Sequence, residues 1–165
     1  MRLGTRGTGE RRRRRTVAAA CAGALALACA MPALAQARIA PGKGVAGVFL
    51  GDSTAQVKKV LGKPEAGSNV LNYRYVKSRG IGIYFIAGKA FEIAVVRGPQ
   101  ATASGVRIGS GRAKLIRAYP TAKCKAGAIS GTVECRLAAR YRGRATETLF
   151  TLRRDTVTRI AVHFV

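Results

Sequence analysis

The chain has 165 residues, of which 30 are lysine or arginine and seven are aspartate or glutamate, so its formal net charge is +23 at pH 7. It contains one histidine, four cysteines and no tryptophan. This inventory excludes a metal centre built from several histidines, and the excess of positive charge favours anionic partners.

The first 35 residues have the layout of a cleaved export signal. Seven arginines precede an uncharged, Ala- and Leu-rich run over 16–31, and small-x-small cleavage sites follow after Ala35 and after Ala37. A membrane-spanning helix needs about 20 apolar residues, and this run is too short for one. We therefore expect a signal peptide over 1–35 and a secreted or cell-envelope protein with no transmembrane span in the mature chain.

Two properties of this leader stay open. The stretch that ends at Cys29 resembles a lipoprotein box, in which that cysteine would carry a lipid. The arginine run suits either general secretion or twin-arginine export.

The mature part has the length of one domain and keeps most of the positive charge. Removing seven arginines and Glu10 leaves 23 basic and six acidic residues, a net charge of +17. Acidic wall polymers, lipid headgroups and acidic proteins are the partners that such a charge favours, and a solvated surface without a partner is the alternative.

The mature chain matches itself at two offsets. Residues 47–57 align with 105–115 at an offset of 58, and residues 93–95 align with 160–162 at an offset of 67. We therefore predict an N-terminal extension over 36–44, a first repeat over 45–97, a linker over 98–104 and a second repeat over 105–165, the two repeats forming one domain.

Each repeat is predicted to open with a short helix. In the first repeat Asp52 or Ser53 is the candidate N-cap, and Ser53 and Gln56 have capping-box spacing. Pro64 prevents the helix from continuing. In the second repeat Ser110 is the predicted cap, and Pro120 ends the helix.

Three strands are predicted to follow each helix. They cover 69–76, 80–86 and 89–96 in the first repeat, and 132–139, 145–153 and 156–164 in the second, where β-branched and aromatic residues alternate with polar ones. The sequence therefore predicts an α+β fold, a tandem repeat of a helix plus three antiparallel strands with the helices packed on sheet.

Two cysteines remain after the leader is removed. In an oxidising compartment Cys124 and Cys135 are expected to form a disulfide. A metal site is the competing interpretation, and the single histidine and the absence of a CxxC spacing argue against it.

A set of residues in the first repeat resembles the SmpA/OmlA motif of BamE-type outer-membrane assembly lipoproteins. The matching positions are Gly47, Val48, Leu50, Gly51, Ser53, Gln56, Val57, Val60, Leu61, Gly62, Pro64, Tyr73, Tyr75, Phe91 and Ile93. The tandem form with a disulfide is similar to secreted β-lactamase-inhibitory (BLIP-like) proteins. The resemblance implies binding rather than catalysis, through a sheet surface that carries aromatic residues.

Tyrosines on the predicted strands are the candidate partner surface. Tyr73, Tyr75 and Tyr84, with Arg74 and Lys77, would present aromatic rings beside positive charge, and the alternative is that the tyrosines cap the core. Basic residues also lie beside tyrosines over 73–77 and over 136–144, where Tyr141 is the single tyrosine, and this pattern resembles a stacking platform for nucleic acid in a positive groove. Export argues against nucleic acid, so a protein or an anionic envelope component is the expected partner.

No catalytic motif is recognised in the sequence. The only histidine, His163, lies on a predicted strand without a nucleophile or acid in a known spacing, and the acidic residues are dispersed. We therefore predict a non-catalytic binding module that needs no cofactor or metal. The alternative is a domain held electrostatically to anionic wall polymer or lipid, and a small hydrolase is a third possibility.

Overall fold

The computed structural model describes residues 38–63 and 80–165, and it is mostly β. Ten strands form two sheets, and the two described helices are short. The bounds are β1 Arg38–Ala40, β2 Gly44–Val45, β3 Val48–Phe49, α1 Thr54–Leu61, β4 Ile81–Ile86, β5 Lys89–Val95, β6 Ala101–Thr102, α2 Arg112–Ala118, β7 Lys123–Ala126, β8 Thr132–Tyr141, β9 Arg144–Arg153 and β10 Thr156–Phe164.

The larger sheet contains six antiparallel strands in the order β4-β5-β10-β9-β8-β7. Alternate residues on these strands are buried, as expected for a sheet that covers a core with one face. Ile93, Phe150 and Ile160 are fully buried there. Val57 of α1 and Leu115 of α2 belong to the same core, so each helix packs its apolar side into one shared interior.

The smaller sheet has the order β3-β2-β1-β6, with β1 and β6 parallel. Its strands were not predicted. β1 lies in the predicted extension, β2 starts at the end of that extension, β3 lies between it and α1, and β6 lies in the predicted linker. Ile39 in β1 is completely buried. A Cβ on Gly44 in β2 would lie 2.1 Å from the carbonyl oxygen of Val48, so only glycine allows these two strands to approach.

The predicted fold class is therefore wrong. The chain is not a tandem of a helix plus three strands, because the segments before each helix form a second sheet and β7 adds a fourth strand after α2. The helices have only eight and seven residues, too few to form a layer of their own, and strands supply most of the structure.

Several predictions concern residues outside the described part of the chain. These are the signal peptide over 1–35, the lipidation of Cys29, the strand over 69–76 and the helix stop at Pro64. The boundaries of the extension, repeats and linker stay predictions.

The start of α1 follows the sequence prediction, whereas the start of α2 does not. Ser53 caps α1, and its hydroxyl and the side chain of Gln56 form the full capping box. The N-cap of α2 is Gly111, which has no side chain for capping. The hydroxyl of Ser110 instead accepts a hydrogen bond from the backbone N–H of Arg107 at 3.0 Å.

Ser110 acts like Asp52, 58 residues earlier in the chain. The carboxylate of Asp52 accepts from the backbone N–H of Phe49 at 2.8 Å, as the hydroxyl of Ser110 accepts from Arg107. Both side chains close the turn that precedes a helix rather than capping the helix itself. In both turns the side chain accepts from the backbone N–H three residues earlier, so the two turns have the same geometry.

Two halves of the structure share a detailed backbone frame. Equivalent bonds join each turn to the following hairpin: Gly51 N to Ala90 O and Gly109 N to Val157 O are both 2.8 Å. The hairpins β4–β5 and β9–β10 pair residue for residue at an offset of 67, and each has a bulge at the same place, opposite Tyr84/Phe85 and Thr151/Leu152.

An approximate two-fold axis relates these halves. In the pairing of β5 with β10, Ala94 lies opposite Ala161, which is its equivalent in the other half. A two-fold rotation about this pair places Ile93–Val162 on Ile160–Val95, so the pairing is symmetric. Because β5 and β10 are hydrogen-bonded neighbours, the two halves build one continuous sheet.

The cysteine prediction is confirmed. Cys124 and Cys135 lie directly opposite each other on β7 and β8 and form a disulfide with an S–S distance of 1.97 Å. The disulfide therefore fastens the edge strand β7 to the sheet. Within 38–63 and 80–165, no helix is long and apolar enough to cross a membrane.

Candidate functional site

Only one member of the predicted tyrosine surface lies in the described part of the chain. Tyr73, Arg74, Tyr75 and Lys77 fall outside it, so their position in the fold stays a prediction. Tyr84 lies on β4, where its ring is partly buried and contacts the ring of Phe91 edge to face, with 6.3 Å between ring centroids.

Tyr84 begins a row of ring contacts at one end of the larger sheet. The ring of Phe91 lies 6.1 Å from that of Phe164, and the guanidinium of Arg144 lies 3.8 Å above the centroid of Phe164. At this end β4, β8 and β10 finish and β5 and β9 begin. This distance is well within the range of about 6 Å for a cation–π contact.

A pocket of about 470 Å³ opens beside this row. Its apolar part comes from the side chains of Ile86, Ala90, Phe91 and Phe164, and its cationic part comes from Lys89 and Arg144. The volume lies within the range of roughly 300–1,000 Å³ that is typical of ligand-binding clefts. The arrangement is an apolar cleft with two cations.

A second arginine is stacked next to the pocket. Arg142 lies over the ring of Tyr141 at 5.1 Å, and Tyr141 in turn contacts the ring of Phe49 at 6.3 Å. Gly51 lines the pocket, and a Cβ on it would lie 3.6 Å from Nη1 of Arg142, so this cluster borders the pocket.

We call the combined surface the arginine–aromatic patch. It consists of Phe49, Ile86, Lys89, Phe91, Tyr141, Arg142, Arg144 and Phe164. Within this patch Phe49 is 37% exposed and Ile86 is 48% exposed, so both side chains are accessible to a partner.

A network of ion pairs occupies the sheet face that points away from the core. Arg136 donates to Glu134 at 2.9 Å and to Glu147 at 3.0 Å, and Nε2 of His163 lies 2.9 Å from Glu147. Arg159 pairs with Glu92 nearby. The hydrogen bond to Glu134 and the charge of Glu147 raise the pKa of Arg136 above its usual value.

His163 is a member of this network. The side chain of His163 is 18% exposed, and that of Glu147 is 12% exposed, so the pair lies largely beneath its neighbours. Within the described residues, no group of three or more His, Cys, Asp or Glu side chains could hold a metal ion.

All five acidic residues of the described part have a cationic neighbour in the fold. Besides the pairs above, Asp52 lies 3.9 Å from Arg142, and Asp155 lies 3.7 Å from Arg112. Residues 38–63 and 80–165 contain 20 lysines and arginines, so their net charge is +15. No carboxylate of these residues lies within ion-pair distance of Lys89 or Arg144.

The pocket belongs to one half of the two-fold frame only. The offset of 67 relates residues of the pocket to equivalents in the other half. The equivalent of Phe91 is Thr158, that of Ile86 is Arg153, and that of Phe164 is Arg97. The same backbone geometry therefore has an apolar cleft at one end of the sheet and polar or charged side chains at the other.

No protein-family model, curated protein or solved structure matches this chain. The sequence pattern over 136–144 includes Tyr141, Arg142 and Arg144 of the patch, but Phe91 and Phe164 come from other strands. Their meeting depends on the pairing of β5 with β10 and β9, which no local pattern indicates.

Proposed function

We propose that the protein is a non-catalytic binding protein that works outside the cytoplasm and contacts a protein partner through the arginine–aromatic patch. One observation carries this proposal: two arginines stacked on aromatic rings border a pocket with an apolar floor. Arginine and aromatic side chains are the residues most enriched among those that dominate the affinity of protein interfaces.

The export signal and the disulfide support the location. A leader of the expected layout precedes the domain, and Cys124–Cys135 is a cross-link of the kind found in oxidising compartments. The resemblance to BamE-type and β-lactamase-inhibitory proteins is part of the same proposal, because both classes act by binding.

A matched pair of double variants tests the patch. Arg142→Ala/Arg144→Ala removes the stacked arginines, whereas Arg153→Ala/Arg154→Ala removes two arginines at the opposite end of the sheet. Each double variant loses two charges. Each also places an alanine at one residue with a positive φ, 51° at Arg142 and 49° at Arg154, so the two variants are matched in backbone conformation. Ala87, the equivalent of Arg154, already occupies such a position with φ 47°.

The readout is cross-linking and co-purification from the culture medium and the cell envelope. We expect a discrete partner to be retained by the wild type and by the Arg153/Arg154 variant, and lost with the Arg142/Arg144 variant. Retention should survive a few hundred millimolar salt, because apolar contacts are not screened. Equal retention by both variants, or no retained protein at all, would contradict the proposal.

The charge balance favours a second candidate, electrostatic attachment to anionic wall polymer or lipid. The net charge of +15 over the described residues is spread around the molecule rather than confined to the patch. In that case salt should release the protein from isolated envelopes, and both double variants should weaken attachment equally, since each removes two charges.

A further inference from the structure

The pocket within the patch has the chemistry of a specific subsite. Of its apolar lining residues, the exposed Ile86 and the partly exposed Phe91 offer contact to an apolar group, while Lys89 and Arg144 offer positive charge at the same opening. A group that satisfies both must be apolar and anionic within a few ångströms.

Arg144 is the cation at this opening that is suited to a carboxylate. Its guanidinium carbon lies 3.8 Å from the centroid of the Phe164 ring, and the side chain of Arg144 is exposed to solvent. The planar guanidinium of an arginine matches the two oxygens of a carboxylate. All acidic side chains of residues 38–63 and 80–165 pair with other cations, so none of them occupies this position.

We infer that the pocket binds an acidic peptide segment of the partner, with one aromatic or branched aliphatic side chain in the cleft and an adjacent Asp or Glu on Arg144 and Lys89. This inference rests on the proposed function and names the chemistry of its partner. A phosphate polymer has no apolar group for the floor of the pocket, and a bilayer presents a flat surface to a concave site.

The other half of the fold provides an internal comparison. Its equivalent positions have Thr158 for Phe91 and Arg153 for Ile86, so the opposite end of the sheet offers charge without an apolar cleft. A ligand recognised by charge alone would not distinguish the two ends, whereas the inferred ligand selects the end with Phe91 and Phe164.

The test uses synthetic probes and the mature protein. The probe is the acetylated, amidated peptide Asp-Glu-Phe-Asp-Glu, and its comparison is Asp-Glu-Ser-Asp-Glu, which has the same charge. Vesicles of equal parts phosphatidylglycerol and phosphatidylethanolamine form a third arm. Three variants are compared. Arg144→Ala removes the cation of the pocket, and Arg153→Ala is its control on the same strand. Phe91→Thr replaces Phe91 by the residue type of Thr158, which occupies the equivalent bulge in the other half.

Binding is measured by calorimetry, and thermal melting followed by circular dichroism verifies that each variant is folded. We expect the Phe peptide to bind about tenfold more tightly than the Ser peptide. Arg144→Ala and Phe91→Thr should each weaken the Phe peptide about tenfold, and Arg153→Ala should leave its affinity within about twofold.

Two results would overturn the inference. Equal affinity for the Phe and Ser peptides, or equal losses with Arg144→Ala and Arg153→Ala, would mean that charge alone determines binding. Preferential binding to vesicles that Arg144→Ala abolishes would make lipid the occupant. In either case the co-purification experiment still decides separately whether the patch binds a protein.

Discussion

Arg136 connects two acidic side chains on the outer face of the larger sheet. Glu134 and Glu147 are only 17% and 12% exposed, and Arg136 is the cation that pairs with both, while Glu147 also contacts His163. Leaving a partly buried carboxylate without its donor costs more than the pair contributes when it is formed.

We therefore expect Arg136→Gln to lower the free energy of unfolding by about 1–2 kcal/mol. Arg140→Gln, on the same strand with an exposed side chain, should change it by less than about 0.5 kcal/mol. Urea unfolding measures both. Indistinguishable losses would show that the network contributes no more than ordinary surface charge.

The pH dependence of this loss follows from the direction of the pKa shift. The pKa of Arg136 is raised in the folded state, so its contribution is present below the unfolded pKa and disappears only as pH rises through the folded one. The difference between wild type and Arg136→Gln should therefore stay constant from neutral to mildly alkaline pH.

At the level of elements, β7 is the short, disulfide-linked edge of the larger sheet. It has four residues and pairs only with β8, and its two lysines discourage pairing with another chain. The disulfide closes a loop with a sequence separation of 11 between Cys124 and Cys135.

Reduction of this bond should lower the free energy of unfolding by about 3 kcal/mol, because the unfolded chain regains the entropy of the open loop. The urea midpoint with and without reductant measures the loss. Amide exchange should accelerate at 123–126 before it does in β5. The Cys124→Ala/Cys135→Ala variant is the control, since reductant should not shift its midpoint further.

Local signals predicted some elements and missed others. The capping box at Ser53 and Gln56 is a short-range pattern, and it marks the start of α1 correctly. The smaller sheet was missed because β1, β2, β3 and β6 have only two or three residues each, too few to show alternation. Such strands form because distant partners are held close by the core.

The candidate site was harder to predict than the fold. Tyr84 was selected as one of a row of tyrosines, whereas in the structure it is the first ring of a row that continues with phenylalanines. The partners of that row, Phe91, Phe164 and Arg144, are on three different strands. These residues come together because of the order of the strands in the sheet, and the spacing of residues along the chain does not indicate that order.

At the scale of the whole molecule, both halves contribute to one sheet and one core. Val57 and Ile83 from the first half pack in the same cluster as Leu115 and Phe150 from the second. Neither half has an interior of its own, so we expect the domain to unfold in a single cooperative transition.

Equilibrium denaturation followed by far-ultraviolet circular dichroism and by tyrosine fluorescence measures this cooperativity. The two curves should coincide, because backbone structure and ring packing are lost together. Separate midpoints, or a plateau between them, would show that one half stays folded without the other.

The pairing of Ala94 with Ala161 gives the centre of the larger sheet the geometry of a dimer interface. A rotation that exchanges the two halves is the operation that relates the subunits of a symmetric homodimer. The contact between β5 and β10 is therefore an edge-to-edge strand pairing of the isologous kind, formed here within one chain. Phe91 and Thr158 occupy equivalent positions on either side of it and differ, so the symmetry of the backbone does not extend to these side chains.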